Sequence, residues 1–185
     1  MAASNRDRVN QIAIFLIALL CYAYFFPRWA DNNQNSRLNM VVAVVDDGTF
    51  QIDKYVLGQA GYGKTVDYAK VGEHYYSDKA PGAAFLGIPI YAGLRVVLDW
   101  PMMDQLTQRL ANSEAFKATL RETGSGVVED KVRYAMAQVL LSFLIGAVPS
   151  ALTCVLLYRL MMRFGARPGA SAFAALAYGL LTPAF

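Results

Sequence analysis

Ala135–Tyr158 reads AMAQVLLSFLIGAVPSALTCVLLY and carries no charged residue. At ~1.5 Å of rise per residue, a helix of this length more than covers the ~30 Å hydrocarbon core of a bilayer. The stretch is therefore predicted to cross a membrane, bent at Pro149, whose ring removes a backbone donor. Two further runs flank it. Upstream, Val9–Phe26 (VNQIAIFLIALLCYAYFF) follows Arg6 and Arg8 and precedes Pro27, Arg28 and Trp29. Downstream, Gly169–Phe185 is short and uncharged. A cleaved signal peptide is the rival reading of Val9–Phe26. The length of the run and the lack of an A-x-A site favour an uncleaved helix. Leu20, before Cys21, argues against a lipoprotein signal.

Composition agrees. Hydrophobic residues make up 56% of the chain and charged residues 17%, against about a quarter charged in a soluble domain. The net charge of +3 comes with no basic stripe, which argues against a nucleic-acid partner. Cys21 and Cys154 both lie in apolar runs and suggest neither a disulfide framework nor a zinc site. His74 is the sole histidine, which excludes a multi-histidine metal site.

Orientation follows from the arginines. Residues 159–168 form a short loop holding Arg159, Arg163 and Arg167, and short basic loops stay cytoplasmic. Residues 1–8, with Arg6 and Arg8, are placed on the same side. The expectation is span one over 9–26, span two over 135–158 and span three over 169–185, with 27–134 on the non-cytoplasmic face. Ala83–Leu98 (AAFLGIPIYAGLRVVL) is apolar enough to be a fourth span. A crossing there would put the basic loop outside, and the stretch also holds Pro89 and Arg95. It is read as a helix lying at the outer surface or dipping in part-way. Two more interfacial helices are expected. One is 35–46, with Leu38, Val41, Val42 and Val45 at helical spacing. The other is 102–123, breaking near Asn112-Ser113. Gly124-Ser125-Gly126 reads as a connector, and Phe50–Leu57 as a strand or an extended loop. The fold class is thus an all-α integral membrane protein: three transmembrane helices and an extracytoplasmic loop with amphipathic juxtamembrane helices.

Several motifs bear on chemistry. Gly58–Thr65 (GQAGYGKT) fits the phosphate-loop template, but that mechanism needs a strand before it and a helix after it. Val66–His74 is short, polar and broken by Gly72, so a glycine-rich surface turn is expected. Asp46 and Asp47 are an acidic pair near a helix C-terminus, where they oppose the macrodipole. They are either solvated turn residues or a general base or metal ligand. His74–Gly82 (HYYSDKAPG) is the densest polar cluster. Its Lys79 could meet a lipid phosphate or could simply snorkel beside an aromatic belt formed by Tyr75 and Tyr76. Arg37 is a second candidate phosphate ligand, or a solvated helix residue.

Ser36-Arg37-Leu38, Asp47–Asp53 (DGTFQID) and Tyr75–Gly82 (YYSDKAPG), in this order around one span and before an interfacial helix, resemble the N-terminal region of the GT-C superfamily of membrane glycosyltransferases. The likeness is greatest to the bacterial aminoarabinose, galacturonosyl and mannosyl transferase branch, and it covers nearly the whole chain. It implies residence in the bacterial cytoplasmic membrane with a cytoplasmic N-terminus. It also implies membrane lipids and a polyprenyl-phosphate-sugar donor as partners. Lys79, with Arg37 and His74, would hold the carrier phosphate. Asp46 or Asp47 would act as base or as ligand to a divalent metal ion. The position that carries the catalytic Asp in many relatives, three residues before the arginine matching Arg37, holds Gln34 here. The role has then moved, or the protein does not catalyse. The alternative is a non-catalytic membrane subunit of a larger complex, to which the small residues of span three would suit close helix packing. A lipid-binding or transport accessory role is a third option.

Overall fold

The computed structural model describes residues 5–24, 31–118 and 128–181. Arg28, Trp29, residues 119–123 of the expected interfacial helix, the Gly124-Ser125-Gly126 connector and residues 182–185 lie outside them. The chain divides into two compact units, 1–26 with 142–185, and 27–141.

The first unit packs α1 (Asn5–Tyr24), α8 (Val148–Arg163) and α9 (Pro168–Leu181) together. Its interior is Ile14, Ala18, Ala151, Cys154, Tyr158 and Ala175. Small residues let these backbones approach closely. A Cβ on Gly179 would stand 2.5 Å from Cys154 Sγ. The Tyr22 hydroxyl donates to the Gly179 carbonyl at 2.8 Å, and Asn10 Nδ2 donates to the Tyr158 hydroxyl at 3.1 Å. That last bond sets the start of α1 beside the end of α8, so Arg6, Arg8, Arg159 and Arg163 gather at one end of the bundle. The outer surface is apolar: Ile12, Leu16, Leu20, Leu152, Leu156, Leu160 and Phe173 are exposed. A soluble unit would cover so continuous an apolar face.

Among the described residues two helical stretches are long and apolar enough to cross a membrane, Asn5–Tyr24 and the continuous Glu129–Arg163. The pair Gly82–Leu98 and Pro101–Ala111, bent by 92°, passes the same test only as one broken span. α9 is a shorter apolar helix. Ahead of Pro149 the backbone opens into π-type turns over Ser142–Ala147, a wider winding that lets a helix absorb a proline. Thr153 Oγ1 donates to the Pro149 carbonyl at 2.9 Å.

The second unit is built around α2 (Asn32–Val42), which runs on as a π turn to Asp47 and stops at Gly48, φ +67°. Asp31 caps its start by accepting from the Asn33 amide at 2.8 Å. α3 (Asp53–Val56) is a single turn, and a hairpin of β1 (Ala69–Val71) and β2 (His74–Tyr76) follows, turning at Gly72. Then come α4 (Gly82–Leu98), α5 (Pro101–Ala111), the single turn α6 (Glu114–Lys117) and α7 (Val128–Leu141). The helix expected over 83–98 is α4. The one expected over 102–123 breaks at Asn112-Ser113, where the Ser113 hydroxyl caps α6.

Two corrections follow. The chain is mostly helical but not all-α, because Ala69–Val71 and His74–Tyr76 pair as a short hairpin, held by backbone pairing that the polar sequence does not signal. The helix expected over 35–46 is not amphipathic either. Asn35, Ser36, Leu38, Asn39, Met40, Val41 and Val42 are all buried, so α2 is a core helix with polar residues inside.

Candidate functional site

Those buried polar residues of α2 hold the glycine-rich turn. Asn39 Nδ2 donates to the Gly63 carbonyl at 2.7 Å and Asn35 Nδ2 to the Lys64 carbonyl at 3.0 Å. Thr65 Oγ1 donates to the Asn32 carbonyl at 2.8 Å. Asn39 Oδ1 accepts from the buried Tyr134 hydroxyl at 2.7 Å. No helix follows Thr65, and the carbonyls of the turn are tied down on α2. This is a structural turn without the arrangement that cradles phosphate.

The three segments quoted above meet in this unit. Ser36 Oγ lies 2.8 Å from Ser77 Oγ. Gln51 bridges Tyr76, and the Ile52 amide donates to the Tyr75 carbonyl at 2.8 Å. The Phe50 ring meets that of Phe85, on α4, edge-on at 6.3 Å.

Asp46 lines a small polar pocket of about 90 Å3, with Tyr62, Tyr91, Arg95, Asp130, Arg133 and Tyr134 around it. Its Oδ1 accepts from Arg95 Nε at 3.1 Å and its Oδ2 from the Tyr91 hydroxyl at 3.1 Å. Arg95 also pairs with Asp99. Arg133 lies 3.4 Å from Asp99 and 2.5 Å from Asp104. A ladder of alternating charge thus ties the end of the π turn to α4, α5 and α7. Burial, with the negative charges of Asp130, Asp46 and Asp47, pushes the Tyr62 phenol above its ordinary pKa, so it stays protonated and able to donate. The pocket is well below the ~300 Å3 at which small-molecule sites begin. It can take only one polar end of a larger ligand.

The other candidates are dispersed. Asp47 pairs with Lys54 at 2.5 Å and does not line the pocket. Lys79 sits between Asp67 at 3.2 Å and Asp78 at 3.3 Å. Burial opposes its charge, but those two carboxylates outweigh it and raise the ammonium pKa. His74 Nδ1 lies 2.7 Å from Asp53 Oδ2, and the Tyr75 amide donates to Asp53 Oδ1 at 2.6 Å. Burial alone would raise the Asp53 carboxyl, yet these two hydrogen bonds hold it below its ordinary value. Arg37 is half-buried and makes no ion pair or hydrogen bond among the described residues.

The residues do not fit a divalent metal. Among the described residues no three His, Cys, Asp or Glu side chains converge, and the adjacent Asp46 and Asp47 each hold a cationic side chain instead.

Sequence reasoning passed over Arg95, Arg133, Asp130 and the tyrosines of the pocket. One signal was there: Arg95 interrupts an otherwise apolar helix, where a charge needs a partner. The remaining residues are distant in sequence and carry no local pattern. Set against known protein families, curated proteins and solved structures, the chain matches none.

Proposed function

We propose that this chain is the membrane anchor and first outer segment of a GT-C-like glycosyltransferase, which moves a sugar from a polyprenyl-phosphate donor on the non-cytoplasmic face of the bacterial cytoplasmic membrane. One observation carries the reading. The three segments that resemble the family, separate in sequence, pack on one another through Ser36–Ser77 and Gln51–Tyr76. In this reading α1, α8 and α9 cross the bilayer and residues 27–134 lie outside. Lys79 and Arg37 steady the departing phosphate. Asp46 takes the acceptor proton after trading Arg95 for the acceptor, since both of its oxygens are now occupied. The test is sugar transfer from a labelled polyprenyl-phosphate donor in membranes carrying the protein. Asp46→Asn and Lys79→Ala should each abolish transfer with unchanged membrane yield. Full transfer by both variants would remove the assignment.

A second reading has its own support. Asp46, Asp47 and Lys79 are each already neutralised by a partner of opposite charge. Along α2, Arg37 and Asp46 are also separated by about 14 Å of helix rise. Both facts suit a non-catalytic membrane subunit that keeps the scaffold. Membranes active with all three residues neutralised would favour it.

A further inference from the structure

The first unit carries a groove that none of the chemistry above uses. It is an open cavity of about 570 Å3, lined by Thr153, Leu156, Leu157, Arg159, Leu160 and Arg163 of α8 and by Tyr178 of α9. Its wall is apolar along most of its length, with Leu156 59% and Leu160 49% exposed. Its charge is all at one end. Arg159 and Arg163 stand one helical turn apart on the same face. Among the described residues neither meets a carboxylate. In the whole unit Asp7 is the only acid, against Arg6, Arg8, Arg159, Arg163 and Arg167.

Length decides what fits. Thr153 to Arg163 spans about 15 Å of helix rise, half of the ~30 Å hydrocarbon core. An apolar trough one leaflet deep, with two guanidiniums at its mouth, has the dimensions and polarity of a single lipid. We propose that it binds one anionic phospholipid of the cytoplasmic leaflet. The phosphate takes hydrogen bonds from Arg159 and Arg163, and an acyl chain lies along Leu156, Leu157 and Leu160. Charge complementarity selects the anionic headgroup, because a zwitterionic one brings its own cation to the arginines. The proposal rests on the bilayer reading of α1, α8 and α9, and is independent of sugar transfer.

The test is lipid retention by the full chain, reconstituted in discs of phosphatidylcholine or of a phosphatidylcholine–phosphatidylglycerol mixture, then extracted in mild detergent and weighed intact by mass spectrometry. One phosphatidylglycerol should remain bound in preference to phosphatidylcholine. Arg159→Gln/Arg163→Gln should weaken that retention about 30-fold, taking each surface charge at its usual worth. Arg159→Lys/Arg163→Lys should keep most of it. Arg167→Gln, outside the groove, should leave it unchanged, and circular dichroism should show equal helicity throughout. Equal retention of the two lipids by the parent chain would overturn the proposal. So would full retention by the double Gln variant, a loss with Arg167→Gln as large as with the double variant, or a second copy of the chain in the groove in place of lipid. Absence of the protein from the membrane fraction would instead defeat the bilayer reading itself.

Discussion

Gly63 sits at φ +64°, and a Cβ there would lie 2.7 Å from Asn39 Oδ1 and 2.8 Å from the Tyr134 hydroxyl. Gly48 has a similar φ of +67° with nothing within 4 Å. Comparing Ala at the two positions separates backbone strain from overpacking. Gly48→Ala should cost about 1–2 kcal/mol for the left-handed backbone alone. Gly63→Ala should cost a further ~1–3 kcal/mol for the crowding, read from melting in detergent. Tyr55 offers the opposite case. Its hydroxyl is buried and has no hydrogen-bond partner among the described residues, while its ring meets that of Tyr62 edge-on at 6.0 Å and that of Tyr134 at a tilt at 6.4 Å. Tyr55→Phe keeps the ring and removes an uncompensated polar atom, so stability should hold or rise by up to ~1 kcal/mol. Asp53 sets a pH dependence. Its carboxyl titrates below the ordinary 3.8 in the folded chain, so the native state holds this proton less tightly than the unfolded one does. The stability it contributes is present above pH ~4 and is lost as pH falls through the lowered folded value. Asp53→Asn should flatten the acid limb of a melting-versus-pH profile below ~4. An unchanged limb would show that the His74 and Tyr75 contacts do not hold the charged form.

At the scale of elements, the charge ladder links α2's end to α4, α5 and α7 through partly exposed pairs, each expected to contribute ~1 kcal/mol or less. A double-mutant cycle of Asp46→Asn and Arg95→Gln should therefore give a coupling of that order. A coupling of several kcal/mol would mark the pair as buried and structural. Hydrophobicity located α4 to within a residue because its apolar run begins at Pro81-Gly82 and ends before Asp99-Trp100-Pro101, all local signals. The break at Asn112-Ser113 was legible for the same reason. α2 was found but misjudged. Its Leu and Val positions made a plausible stripe, while Asn35, Ser36 and Asn39 looked like a wet face. They are buried because their partners, Gly63, Lys64, Ser77 and Tyr134, lie far along the chain, and no window of sequence contains both sides of such a bond. The site was legible to the same extent: Asp46 could be picked as a carboxylate beside a turn, but not its separation from Asp47, which depends on where Arg95 and Lys54 come to rest.

At the scale of the molecule, the proposed topology puts Arg6, Arg8, Arg159 and Arg163, which gather at one end of the helical bundle, on one cytoplasmic face. Single cysteines placed at Glu73, in the hairpin turn, and at Ala166, between α8 and α9, should therefore label from opposite sides of sealed vesicles with a membrane-impermeant maleimide, Cys21 and Cys154 being replaced by alanine. Labelling of both from one side would require α4 and α5 to cross together as a bent pair, and would overturn the placement of residues 27–134 on a single face.

The bond between Asn39 and Tyr134 closes 95 residues of chain. Loop closure over such a distance is entropically slow to reward its contacts. During synthesis α2 emerges early, yet the carbonyls and the phenol that satisfy its asparagines arrive only with the turn at 63–65 and then with α7. Until α7 arrives, Asn39 Oδ1 lacks the Tyr134 hydroxyl that donates to it, although α4 is already there for α2 to pack on. An early part of this unit in the order of translation is thus completed only by a late one, and a nascent chain halted before Tyr134 should leave α2 more open to protease than the full chain does.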